Sequence, residues 1–122
     1  RVPMSRPLTK VNEIKARAEL AYKSRILALE RDLRESQERV QAIRRFERRA
    51  HAEGQSQLFI EAPYRNVKLM EQLLQTLAPE TRLTVAMDIT APGEFIRTLR
   101  VREWRAAELP AMNKRPAIFI IG

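Results

Sequence analysis

Between residues 22 and 50 the apolar positions fall in alternating steps of four and three: Tyr22, Ile26, Leu29, Leu33, then Ser36, Val40, Ile43, Glu47 and Ala50. Such a spacing keeps one stripe along an α-helix and forms a heptad seam, which Ser36 and Glu47 interrupt. From Thr9 to Glu53 there is neither glycine nor proline, and Ala, Leu, Glu, Arg and Lys dominate. These residues lose little freedom in a helix, so a helix over 9–53 is expected, either continuous or broken midway. Thr9 is the candidate N-cap, and Gly54 is the stop, since glycine accepts the left-handed conformation just past a helix end. The stripe suits packing on a core, a hairpin or a coiled coil.

After Gly54 the rhythm changes to short apolar runs separated by turn residues. Residues 57–62 read as a buried strand, and 67–77 as an amphipathic helix closed by Pro79. Residues 82–88 alternate as a second strand, and Ala91-Pro92-Gly93 turns the chain into a third near 95–101. A short helix at 102–107 follows, broken by Pro110, and the apolar run 117–121 reads as a central strand buried on both faces. The predicted fold class is α/β with a mixed sheet, in the order β-α-β-β-α-β, behind a long helix or helical hairpin. The division is into 1–53 and 54–122.

Composition narrows the chemistry. The 122-residue chain has no cysteine and one histidine, His51, so disulfides, thiolate chemistry and multi-histidine metal sites are excluded and no metal is expected. No apolar run approaches the roughly 20 residues of a membrane-spanning helix. Basic Arg1-Val2-Pro3-Met4 leads into no apolar segment, so a secretory signal is not expected, missing upstream sequence is, and a cytoplasmic location fits. The net charge of +8 is uneven: residues 1–53 hold 14 Lys/Arg against 8 Asp/Glu, and residues 54–122 hold 9 against 7. Arg44-Arg45 and Arg48-Arg49 recur four apart and so form one ridge on the helix. That ridge is either solvated or set against RNA phosphates.

Three segments carry a resemblance. Phe59-Ile60-Glu61-Ala62-Pro63-Tyr64-Arg65-Asn66 resembles the FIE(T/S)P(Y/H)R segment of ribosomal RNA ribose methyltransferases of the tetrapyrrole-methylase superfamily, with Ala62 in place of Thr or Ser. Residues 83–90, followed by Pro92, Glu94 and Phe95, are similar to that family's second strand and its D-(L/I)-T-x-P-x-E-F continuation. Residues 114–121 resemble its closing strand. Residues 1–3 and 38–43 are similar to flanking parts of the family, whereas about 8–37 has no counterpart and is read as a helical insertion.

The resemblance implies the C-terminal half of an S-adenosylmethionine-dependent methyltransferase acting on ribosomal RNA by ribose O-methylation, inactive without a Gly-rich N-terminal domain, and a homodimer. By strand-end position it implies that Glu61, Ala62, Met87, Asp88, Pro116 and Ala117 contact the cofactor. Glu61 and Asp88 are the candidates for removing a ribose hydroxyl proton; Glu61 is equally suited to pairing with Arg65. Asn66 is the candidate N-cap of the following helix, and Arg65, Lys114 and Arg115 join the four-arginine ridge as candidate RNA contacts. Tyr64 and Trp104 read as packing residues rather than base-stacking platforms. A second hypothesis is a non-catalytic coiled-coil assembly or RNA-binding module derived from the same domain.

Overall fold

The computed structural model describes residues 5–122, with side chains from Thr9 onward. The resemblance at residues 1–3 lies outside the described residues. Two compact units are present, one ending at Glu38 and the other spanning Arg39–Gly122. Helix α1, Ser5–Glu53, runs through both without a break. Thr9 is therefore a helix-interior residue and not the N-cap. Gly54, at φ 65°, ends the helix in the left-handed region, as its missing Cβ permits. In the first unit α1 is a solvent-exposed helix.

The second unit begins with the last four turns of α1 and continues through β1 Gln57–Ile60, a 3-10 turn Pro63–Arg65 and α2 Asn66–Thr76. It is completed by β2 Arg82–Met87, β3 Phe95–Arg100, α3 Val101–Ala106 and β4 Ala117–Ile121. The four strands form one sheet in the order β1-β4-β2-β3, antiparallel throughout, so the expected mixed sheet gives way to an antiparallel one. A strand between two antiparallel neighbours forces them parallel to each other. Through β4, the carboxyl ends of β1 and β2 therefore lie at the same end of the sheet as the amino end of β4, with Ile60 opposite Ile118 and Ala117 opposite Met87.

One sheet face is fully used. Leu83, Val85 and Met87 of β2 and Ala117, Phe119 and Ile121 of β4 are buried there with Ile43 and Ala50 of α1, Leu69, Met70 and Leu73 of α2, and Val101 and Trp104 of α3. Phe46 of α1 stacks at a tilt on Phe59, 4.9 Å between ring centroids. Trp104 carries its indole N–H to the Leu83 carbonyl at 2.8 Å, which satisfies the one polar atom of a fully buried ring. Its placement as packing is clear, and Tyr64 is exposed at the rim.

The other face of the sheet has no helix over it. Leu58 and Ile60 of β1 and Ile96 of β3 stay exposed, and Ile118 and Ile120 of β4 are half-buried. Two expectations are corrected here: β1 is an edge strand instead of a buried one, and β4 is fully buried on one face only. A continuous apolar run does not distinguish a strand covered twice from one whose second apolar face awaits a cover.

Candidate functional site

The three resembling segments meet at one end of the sheet, and backbone chemistry ties them together. At its N-terminal edge α2 has no side-chain cap; Asn66, expected as that cap, instead lies fully buried and donates through Nδ2 to the carbonyls of Met112 and Arg115. Its Oδ1 has no partner. The Lys114 N–H donates to the Pro63 carbonyl, and the Asp88 N–H donates to the Pro116 carbonyl. A position that binds a distant loop cannot be told from an N-cap by its local sequence, because both uses begin with Asn at a strand-to-helix junction.

Asp88 leaves β2 with φ at 49°, and Thr90 follows at 66°, a conformation that a β-branched residue adopts only under constraint. The constraint is visible. The Asp88 carbonyl accepts the Ala91 N–H, the Ala91 carbonyl accepts the Glu94 N–H, and the Glu94 carboxylate accepts the Thr90 N–H at 2.9 Å. The spacing from Asp88 to Glu94 is thus the spacing of one self-bonded turn. Arg115 closes it by donating to the Asp88 carboxylate at 2.7 Å, the Gly93 carbonyl at 2.7 Å and the Ala111 carbonyl at 2.6 Å. A Cβ on Gly93 would come within 3.2 Å of the Asp88 carboxylate, so glycine leaves room for the pair.

This arrangement makes Arg115 the keystone of the turn. Replacing it with Met keeps the stem but removes three hydrogen bonds, one of them to a carboxylate. With the pair partly open to solvent, the expected loss is about 1–3 kcal/mol. Urea unfolding of Arg115→Met against the parent chain checks this; equal midpoints would contradict it. Asp88→Asn, which retains an acceptor for Arg115, is expected to lose less.

At the other carboxylate, Glu61 is half-buried and takes a charge-assisted hydrogen bond from Arg39 of α1, whose guanidinium also donates to Gln72. Glu61 further accepts the N–H of Ala62. The pairing expected with Arg65 is not formed: Arg65 lies 5.3 Å from the centroid of the Tyr64 ring. Both candidate bases are therefore held by arginines, Glu61 by Arg39 and Asp88 by Arg115.

Beside Glu61 lies an open apolar pocket of about 360 Å³, lined by Ile60, Glu61, Pro63, Ala86, Ile89, Pro116, Ala117 and Ile118. Of the six positions expected at the cofactor, Glu61, Pro116 and Ala117 line it. Ala62 follows Glu61 in the chain, and Met87 and Asp88 lie between the lining residues Ala86 and Ile89: Met87 turns into the core, and Asp88 is committed to Arg115. Sequence reasoning missed Ile60, Ala86 and Ile118, which stand side by side across β1, β4 and β2 in register. Their signal was apolar residues at both parities of a strand. The arginines of the ridge, Arg44, Arg45, Arg48 and Arg49, are exposed on α1, and Lys114, at φ 61°, is exposed in the loop before β4.

No protein-family model matches the chain, and no curated protein matches it. Among solved structures the chain is similar to one titled "Crystal structure of the methyltransferase CobJ", with a TM-score of 0.42 and 17% sequence identity over 66% of this chain. The match takes in 34% of that protein's length, so this chain corresponds to about a third of it. Among the described residues no group of His, Cys, Asp or Glu has the arrangement to hold a metal ion, and no helix is long and apolar enough to cross a membrane.

Proposed function

We propose that residues 54–122, with the end of α1, form the C-terminal half of an S-adenosylmethionine-dependent methyltransferase of the tetrapyrrole-methylase superfamily, acting on ribosomal RNA. The observation that carries this reading is convergence. The segments 59–66, 83–95 and 114–121, which carry the resemblance, are cross-tied by Asn66, Lys114, Asp88 and Arg115, and each contributes residues to one apolar pocket.

The pocket fits part of such a cofactor. An adenine ring needs apolar walls and a few fixed polar groups, and pockets for small ligands start at roughly 300 Å³. Ile60, Ala86, Ile89 and Ile118 supply the walls, and Glu61, which also lines the pocket, is the residue we assign as acceptor for a ribose hydroxyl. When bound, the cofactor supplies an already activated methyl group, so the protein's task is to align donor and acceptor and exclude water. An open pocket on an uncovered sheet face does not exclude water by itself. A Gly-rich N-terminal half lying over that face would complete the cleft, and we assign RNA phosphate to the basic ridge with Arg65 and Lys114, the guanidinium of Arg115 being taken up by Asp88, Gly93 and Ala111. In this reading residues 8–37 are an insertion, and the α/β domain proper resumes by Arg39.

The deciding experiment is calorimetric titration of S-adenosylmethionine and S-adenosylhomocysteine into this chain, alone and mixed with a separately expressed N-terminal half from a methyltransferase of the superfamily. Binding only in the mixture is expected. Absence of binding in both samples would overturn the methyltransferase reading and leave RNA contact or assembly as the role of the domain.

A further inference from the structure

The exposed part of α1 has a second pattern beyond its heptad stripe. Val11, Ile14, Ala18, Tyr22, Ile26, Leu29 and Leu33 all lie on one line of the helix and all are exposed, Tyr22 by 69% and Leu33 by 59%. A helix in water owes most of its stability to packing of its apolar face, and here the face has no cover within its own unit. The order of the stripe is close to its own reverse. Val11 and Ser36, Ile14 and Leu33, and Ala18 and Leu29 are pairs whose numbers share one sum, with Tyr22 and Ile26 flanking the centre. A helix with such a stripe matches an inverted copy of itself.

Charge has the same symmetry with opposite sign. Residues 9–25 hold five Lys/Arg against two Asp/Glu, whereas residues 26–38 hold two against four. On inversion the basic half meets the acidic half. In an antiparallel pair, the residue after each seam position faces its equivalent on one flank, and the residue before it does so on the other. Lys15, after Ile14, then faces Glu30, after Leu29; Arg17, before Ala18, faces Asp32, before Leu33. Each pairing occurs twice in the dimer, giving four opposite-charge contacts. Asp32 has at present only a solvent-exposed contact with its neighbour Arg31 at 4.0 Å. A parallel pair would instead lay basic half on basic half.

We infer that residues 11–36 of α1 are a homodimerisation element, an antiparallel two-helix coiled coil with a second copy of this chain, in the register that sets Ile14 against Leu33. The paired length is about 38 Å at 1.5 Å per residue. This inference is independent of the methyltransferase reading: it uses only residues of the first unit, and either can fail without the other.

The test uses the full 122-residue chain, which has no cysteine of its own. Sedimentation equilibrium is expected to give a dimer. Mixed Ile14→Cys and Leu33→Cys chains are expected to cross-link on mild oxidation, and each variant alone is not. The double variant Lys15→Glu/Arg17→Glu turns all four contacts repulsive and is expected to weaken the dimer by about tenfold or more. Adding Glu30→Lys/Asp32→Lys in the same chain restores opposite charges and is expected to restore the dimer. A chain that stays monomeric up to about 1 mM, as it would if the stripe served a different protein, would overturn the inference. Cross-linking of Ile14→Cys with itself would also overturn it, since that is the product of a parallel pair.

Discussion

Trp104→Ala is expected to be the most damaging single substitution in the α/β unit, lowering its stability by about 3–5 kcal/mol. The ring is 1% exposed and lies in the core cluster with residues of α1, α2, β2 and β4, so its removal opens a cavity where three helices and the sheet meet. It also strips the Leu83 carbonyl of the indole hydrogen bond. Small domains are stable by only about 5–15 kcal/mol, so a loss of this size consumes much of the total. Scanning calorimetry should show the melting temperature falling by about 15 °C or more, at roughly 4–8 °C per kcal/mol for a unit of this size. Trp104→Phe keeps most of the packing but not the hydrogen bond and should fall between the two. A loss below about 1 kcal/mol for the alanine variant would mean that the core does not close around this ring.

How far the sequence anticipates this structure depends on whether a feature is local. The long helix follows from 45 residues without glycine or proline, and its end at Gly54 follows from a single residue's freedom. Element order after Gly54 was equally legible, with strands and helices within one or two residues of their expected limits, because period two and period 3.6 are written into consecutive side chains. Partnering was not. Asn66 looked like a cap because capping is local, whereas its real partners lie 46 and 49 residues ahead. Glu61 looked like a partner of Arg65 for the same reason, and the arginine that holds it is 22 residues earlier on α1.

The antiparallel order of the sheet belongs to the same class of hidden fact, and it decides the site. With β4 between β1 and β2 and running against both, a strand start joins two strand ends. Pro116 and Ala117 were expected at the site by resemblance; what brings them there is the direction of β4. The same order explains the missed wall residues. Ile60, Ala86 and Ile118 are apolar on the face that carries no helix, a combination that periodicity reads as ordinary strand interior. An apolar face left open within one domain marks a surface to be covered, and the pocket sits at its edge.

That geometry allows binding and folding to be separated by a pair of substitutions, Ala86→Phe and Leu69→Ala. Ala86 lies on the open face between Ile118 of β4 and Ile96 of β3 and forms part of the pocket floor. Ala86 is only 5% exposed, but it stands outside the core cluster and lines the 360 Å³ pocket, so the added ring crowds the pocket side of the sheet and not the helix-covered side. The expected cost in unfolding free energy is about 1–3 kcal/mol, the range for enlarging a packed side chain, which leaves a folded fraction on which binding is measured. The floor on which an adenine ring would lie is nevertheless gone. In the mixture with an N-terminal half, S-adenosylhomocysteine affinity should fall by about tenfold or more, equivalent to roughly 1.4 kcal/mol of lost contact. Leu69→Ala serves as the opposite control: it removes a fully buried core side chain from α2, outside the pocket, and should cost about 2–5 kcal/mol of stability while leaving the affinity of the folded fraction unchanged. If Ala86→Phe binds as the parent does, the adenosine does not lie on this sheet face. The methyl donor would then have to be held by the N-terminal half alone.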